Sequence, residues 1–357
     1  MEGHNKEAGT ASRVLLDSVQ AQANRMELAL LEAKRRGKIS LPVITTKIEG
    51  EGLLKQFSVS SLEAPHRIAD ALLRDSTLKG KKFRESEVGK SLDSMDIKNA
   101  TPLLKYCPTA LVFGLWDSTG PKGGLGAKFP RALVSELVAH TVQLGVKTSS
   151  RIDPAEIRKD AAILYAAVNG GWTFDEKEAL KEKGKPVLLG KDGKPSEANH
   201  GNIVPSITDG ITNGGVIFEK AEQTVVLSLT ALRRLCFPLT PGATSDIPTD
   251  DKARTLLAAL GLYASVLAAE QNSDLRSRCQ LHAPETPTWE ILAPGESAKP
   301  FTLTRQQALD VFTAALKEAT DAGLPWHEEE VELQASPQLV ELIRRSQALA
   351  AKTTAES

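Results

Sequence analysis

The chain has 357 residues, of which a quarter are charged and 4% aromatic, with a net charge of −1. That length fits one large domain or two fused ones. Near-neutrality argues against binding a polyanion through bulk charge, so any such site must be a local patch, and scarce aromatics argue against a dominant base-stacking platform. Three cysteines, Cys107, Cys236 and Cys279, make no C-x-x-C pair and read as buried thiols in a reducing, cytoplasmic compartment. The first residues, MEGHNKEAGTASR, hold no apolar segment, and no run approaches the roughly 18 apolar residues of a membrane span; neither a signal peptide nor a membrane partner is expected.

In chain order, Val14 to Arg36 reads as a helix with Val19, Ala23, Met26, Leu30 and Ala33 on one face and Gly37 as its stop. Ile39–Ile48 and Phe57–Ser60 read as strands. A helix is expected through SSLEAPHRIADALLRDS, and a charged surface excursion from Thr77 to Asn99. Ala155–Val168 reads as a further helix, and Gly170–Gly215, polar and Gly-rich, as a projecting arm. Val216–Leu229 has strand composition, broken near Lys220–Glu222. Leu256, Leu257, Leu260, Tyr263 and Leu267 mark a strong helix. LRSRCQLH alternates as a strand with one arginine-bearing face, and Thr304 with Gln307 spells a capping box. Ser336 and Pro337 open a last helix.

The stretch from Thr109 to Pro154 organises the rest. Ala110–Trp116 has the composition of a buried strand, Asp117–Lys128 is a polar glycine-heavy loop, and a helix is expected from Pro130, with Leu133, Val134, Leu137 and Val138 on one face. Strand, glycine loop and helix N-terminus together make an anion-binding shape. The stretch is locally about +2. Yet GPKGGLGAKF is not a Walker A loop: its spacing fails, and Phe129 stands where a magnesium-holding Ser or Thr belongs. Ser118 lacks the flanking glycine of a nucleophile elbow, and the scattered histidines show no metal-ligand spacing, so no cofactor or metal is expected.

The segments SVQAQANRMELALL, APHRIADALLRDS, PTALVFGLWDSTGPKGGLGAKFPRALVSELV, GVKTSSRIDP, NHGNIVPS, QTVVLSLTALRRL and LRSRCQLH carry a family resemblance. Together they resemble the backbone subunit of type I-G (formerly I-U) CRISPR effector complexes, in the RAMP superfamily, over roughly Ser18 to Leu281. The resemblance implies an α+β protein with an RRM-like (ferredoxin-like) palm at 10–75 plus 216–293, a helical finger insertion at 76–168 and a thumb-like arm at 169–215. The segment 294–357 is left as C-terminal helices, which the resemblance does not place. It further implies a non-catalytic subunit. Copies of it polymerise as a helical filament along one CRISPR RNA, beside other effector-complex subunits, and present the guide for pairing with target DNA in antiviral defence.

A guide-holding subunit must read backbone and ignore sequence. The candidate RNA contacts are Asn24 and Arg25 on the first helix, then Ser61, His66 and Arg67. Lys122, Gly123, Gly124 and Lys128 follow in the loop, then Lys147 and Arg151, and finally Arg276 and Arg278 on one strand face. The competing reading is a RAMP endoribonuclease that processes CRISPR RNA or cuts target RNA; its candidates are His66, Asp17 and Asp117, with no second catalytic partner visible. A nucleotide-binding enzyme built on the glycine loop is undercut by the missing magnesium ligand.

Overall fold

Ser18 splits the expected Val14–Arg36 helix in two. Strand β1 (Thr10–Asp17) precedes it and helix α1 (Val19–Arg35) follows. The Ser18 backbone is extended (φ −81°, ψ 164°) and its Oγ accepts the Ala21 N–H at 3.2 Å, the N-cap that starts the helix. At the far end Gly37, at φ 66°, donates to the Lys34 carbonyl at 2.8 Å, and Lys38 donates to Ala33 at 2.9 Å, a Schellman turn. The structure is a computed structural model that describes residues 10–120, 127–144, 155, 157–158, 161–198, 200, 215–276 and 279–356.

Strands β2 (Ile44–Ile48) and β3 (Phe57–Ser60) follow, close to expectation. The helix expected from SSLEAPHRIADALLRDS shrinks to a 3-10 turn at Arg67–Ala69 and the single turn α2 (Ala71–Arg74), capped by Asp70 onto the Leu72 N–H at 3.0 Å. Thr77–Asn99 is more ordered than its charge implies. It contains most of the hairpin β4 (Ser76–Leu78) and β5 (Lys81–Lys82), turned by Lys79 and Gly80 at φ 51° and 79°, and then α3 (Glu87–Leu92). α4 (Thr101–Tyr106) and α5 (Thr109–Phe113) come next. The strand expected over Ala110–Trp116 is therefore mostly helix. All five α5 residues are buried, and an apolar run buried on every side shows no period by which to tell the two apart. Gly114, at φ 87°, turns the chain into strand β6 (Leu115–Asp117), which pairs with β7 (Ala127–Phe129).

The helix expected from Pro130 is instead β8 (Leu133–Leu144). Leu133, Ser135, Leu137 and Ala139 are buried while Val134, Glu136, Val138 and His140 are not, a period of two. The apolar pair Val134 and Val138 mimics a helical face, but Ser135 is the buried side chain between them. Thr141, at φ 54°, reverses the alternation so that Val142 is buried.

The described part of Ala155–Val168 also departs from a helix. It enters β9 (Tyr165–Ala166), paired with β10 (Trp172–Thr173), and a second small hairpin joins β11 (Lys181–Glu182) to β12 (Lys185–Pro186). Then come β13 (Val216–Ile217), β14 (Lys220–Leu227), α6 (Leu229–Leu232) and α7 (Ile247–Glu270). LRSRCQLH is two paired strands, β15 (Ser273–Arg276) and β16 (Cys279–Leu281). A hairpin of β17 (Thr288–Ile291) and β18 (Lys299–Thr302) leads to α8 (Arg305–Asp321), whose capping box is present as read: Gln307 N–H to Thr304 Oγ1 at 3.2 Å, Thr304 N–H to Gln307 Oε1 at 2.9 Å. The chain ends in β19 (Val331–Ala335) and α9 (Pro337–Glu356).

Two larger sheets organise this α+β fold. In the first, β8 is central, with β1 on one side and β13 and β14 on the other, all antiparallel. The second has the order β3-β2-β19-β4-β5, in which β2 and β19 are parallel and their neighbours antiparallel. Pairing thus crosses the expected divisions: β8 falls within 76–168, and β19 within the C-terminal segment. One apolar core joins Met26 and Leu30 of α1, Leu257, Leu260 and Ala264 of α7, Phe312 of α8, Ile44 of β2 and Leu333 of β19, each at most 1% exposed. Contrary to expectation, α7 is long and apolar enough by length and composition to cross a membrane. Here that composition serves the core, where Tyr263 of α7 stacks on Phe312 with ring centroids 6.0 Å apart.

Candidate nucleic-acid interface

The start of α1 lies over the middle of the first sheet, and a polar network fills the gap. Gln22 Nε2 donates to Asp17 at 2.6 Å, while Gln22 Oε1 accepts from Ser135 Oγ at 2.9 Å and from Gln223 Nε2 at 2.8 Å. Satisfying every member is what makes such burial affordable. Arg25 grows from the edge of this network. Its Nε donates to Asp17 at 2.8 Å and its Nη1 to the Asp274 carbonyl at 3.3 Å, yet 37% of the side chain stays exposed. Asn24 beside it is exposed. Through Asp274, α1 meets the strand that ends at Arg276, so Asn24, Arg25 and the Arg276 backbone share one neighbourhood.

Ser61 and Arg67, expected at RNA, are internal. Ser61 is fully buried, and its Oγ accepts the Ile44 N–H at 3.3 Å, tying a turn to β2. Arg67 is 8% exposed: Nε and Nη2 each donate to a Glu27 oxygen at 2.7 Å, Nη1 donates to the Gly114 carbonyl at 2.9 Å, and the guanidinium lies 5.8 Å from the Phe113 ring centroid. Three of its five N–H donors are thus committed inside the protein. Burial pushes the Glu27 carboxyl above its ordinary range, and Arg67 pulls it back down. His66 is exposed; its backbone N–H is held by Asp70 at 3.2 Å and its carbonyl accepts the Ala69 N–H at 3.0 Å.

The anion-binding shape expected after Asp117 is not built on a helix; β6 and β7 form a hairpin instead. Its base is anchored: Leu115 and Phe129 are core residues, and buried Asp117 takes Arg84 Nη2 at 2.6 Å and the Thr119 N–H at 3.2 Å. Among the described residues Arg84 Nε and Nη1 are buried without a partner. Trp116, opposite Lys128 in the register, is exposed, as is Lys128. Lys122, Gly123, Gly124, Lys147, Arg151 and Arg278 lie outside the described residues, as does the Arg276 side chain.

One row is visible only once the strands are paired, because a helix is expected over β8 and over the second half of β1. Arg13, His140 and Lys220 are directly opposite one another across β1, β8 and β14. Glu222 tempers the row, 3.8 Å from His140 and 3.9 Å from Lys220. A cavity of about 660 Å³ lies at the other end of α1, lined by Lys34, Arg35, Lys47, Glu328, Glu330 and Glu332, cations and carboxylates in balance. Among the described residues no group of three or more His, Cys, Asp or Glu side chains is placed to hold a metal ion.

No curated protein matches the chain. Residues 1–144, about two-fifths of its length, match the family described as CRISPR-associated protein GSU0053. That span holds α1, the Glu27–Arg67 pair, the β6–β7 hairpin and all of β8. The match indicates a CRISPR-associated protein.

Proposed function

We propose that the chain is a non-catalytic, RNA-binding backbone subunit of a CRISPR effector complex of the type I-G kind. Copies of it line up along one guide RNA and present its bases to target DNA. The observation that carries this reading lies within the matched segment: its solvent-facing groups, partly exposed Arg25 with Asn24, His66, and Trp116 with Lys128, sit on separate elements, and none of them lines the cavity at the other end of α1. Separate footholds suit a strand drawn across a surface; hydrolysis needs an acid–base pair within reach of one scissile bond. The strand directions of β3-β2-β19-β4, a parallel pair flanked by antiparallel neighbours, support an RRM-like core, with β19 supplied from the segment the resemblance does not place. The test is to purify the chain alone and examine what absorbs with it. Copurified RNA of mixed sequence is expected, and no cleavage of a repeat RNA with or without magnesium. Metal-independent cleavage that disappears in His66→Ala would replace this reading with an endoribonuclease.

A further inference from the structure

Trp116 is 65% exposed, against 41% for Trp172, although its chain neighbours Leu115 and Asp117 are 5% and 1% exposed. Strand alternation explains the direction: with Leu115 and Asp117 turned inward, the indole must point out. The exposure does not come from a loose support. Phe129 and Leu115 root the hairpin in the core, Asp117 is locked to Arg84 at 2.6 Å, and the Gly114 carbonyl at its foot is held by Arg67 at 2.9 Å. Among the described residues the indole makes no contact with another ring. A rigid strand thus holds a large aromatic face in water, at a hydrophobic cost that a polar residue at the same site would avoid.

The surroundings say what would cover it. Lys128 stands directly across the hairpin, and directly opposite residues share a face about 5 Å apart. Exposed Arg131 lies at the foot, its Cγ 2.9 Å from where a Cβ on Gly114 would sit. An aromatic plane flanked by cations complements a nucleotide, with its flat base and charged phosphate, better than it complements an apolar protein surface. Resting on the RNA-binding reading above, we propose that Trp116 is a stacking platform for an unpaired nucleobase of the bound single strand, with Lys128 meeting the adjoining phosphate. Stacking is tolerant of base identity, so this foothold uses bases without reading sequence.

The experiment compares a single-stranded RNA with an abasic strand of equal length, titrated against the wild type, Trp116→Phe and Trp116→Leu. Unchanged thermal melting of both variants serves as the folding control. Losing one stacked base weakens binding by about tenfold or more. Trp116→Leu is expected to lose that factor on RNA and little on the abasic strand, while Trp116→Phe keeps most of it. Tryptophan fluorescence is expected to quench on RNA, not on the abasic strand, and the quench to shrink in Trp116→Phe. If Trp116→Leu binds both strands as the wild type does, the stacking role is overturned while RNA binding stands. Normal RNA binding with loss of self-association would assign the indole to a protein contact instead. A wild type that binds neither strand removes the RNA reading, and the stacking with it.

Discussion

Arg67 and Glu27, forty residues apart in sequence, meet in a two-point ion pair that pins the turn after β3 against the inner face of α1. The Glu27 and Arg67 side chains are 2% and 10% exposed, so neither charge has water to fall back on. Removing one partner strands the other, which typically costs about 3–5 kcal/mol. Glu27→Gln and Arg67→Met are each expected to lose stability on that scale in urea unfolding. The double variant Glu27→Leu with Arg67→Met should recover most of it, since an apolar pair of similar volume needs no compensation. Additive losses in the double variant would show that the two side chains act independently.

Gly89 is fixed by approach rather than by dihedral. A Cβ there would lie 2.0 Å from the Phe83 carbonyl oxygen and 2.6 Å from the Arg84 Cα, both backbone atoms that cannot rotate aside. Gly89→Ala is therefore expected to cost about 3 kcal/mol or to prevent folding of the α3 region. Gly80 has φ 79° but open space around its missing Cβ. Gly80→Ala should cost only about 1 kcal/mol. Equal melting temperatures for the two variants would contradict this packing of α3.

How far the sequence could be read depended on whether a signal was local. The Ser18 cap, the Gly37 stop and the Thr304–Gln307 box are short-range chemistry; the stop and the box are legible, and the cap is masked because Val14, Leu15 and Leu16 of β1 prolong the apolar pattern of α1. β8 was misread because Val134 and Val138 keep a helical spacing, and only the polar partners Gln22 and Gln223 reveal why Ser135 is an inward residue. β19 follows the acidic Glu328–Glu330 run and is too short to announce itself, yet it is an inner strand, with β2 parallel on one side and β4 antiparallel on the other. For the site, Arg67 looked like a free cation because its partner Glu27 is remote in sequence. Trp116 was passed over because its exposure depends on which way a three-residue strand faces.

The arm begins earlier than its polar composition implies. Tyr165 and Ala166 pair with Trp172 and Thr173, so a cut at Gly170 would sever a hairpin. Leu164, Ala179 and Leu189 are buried but do not belong to the main core. Replacing 161–200 with a short Gly/Ser linker should leave the body folded, with a melting temperature within a few degrees of the wild type. The exposed Ile163, Val168, Trp172 and Phe174 would be lost with it, so assembly on RNA is expected to weaken. A global loss of structure on replacement would make the arm part of the folding core.

Glu341 gives a pH signature in α9. Hydrogen bonds from Arg344 and Arg345 hold its carboxyl down to about 2 from an ordinary 4.5. A depressed folded value means that its contribution is complete above 4.5 and is lost as pH falls through about 2. The group is exposed, so the effect is local: amide protection in α9, taken relative to the intrinsic exchange rate at each pH, should fall over that window in the wild type and lose this pH dependence in Glu341→Gln. An identical acid profile in the variant would leave the ion pairs without a role.

Charge that faces solvent should set how RNA is gripped, and the geometry separates free cations from committed ones. Arg25 is partly exposed and Lys128 is exposed, whereas Arg67 is internal. For single strands the logarithm of affinity falls with the logarithm of salt by about 0.7 per phosphate neutralised. In Arg25→Gln with Lys128→Gln the slope should become shallower by about 1.4 if each cation meets one phosphate. Affinity should drop alike for two guides of equal length and unrelated sequence. Arg67→Ala should behave otherwise: it destabilises the fold and leaves the salt slope of the remaining folded protein unchanged. The measurement is a salt titration of the three proteins on both guides. A shallower slope in Arg67→Ala would return that residue to the interface. An unchanged slope in the double variant would remove Arg25 and Lys128 from it, and a large difference between the two guides on the wild type would establish base readout in place of a backbone grip.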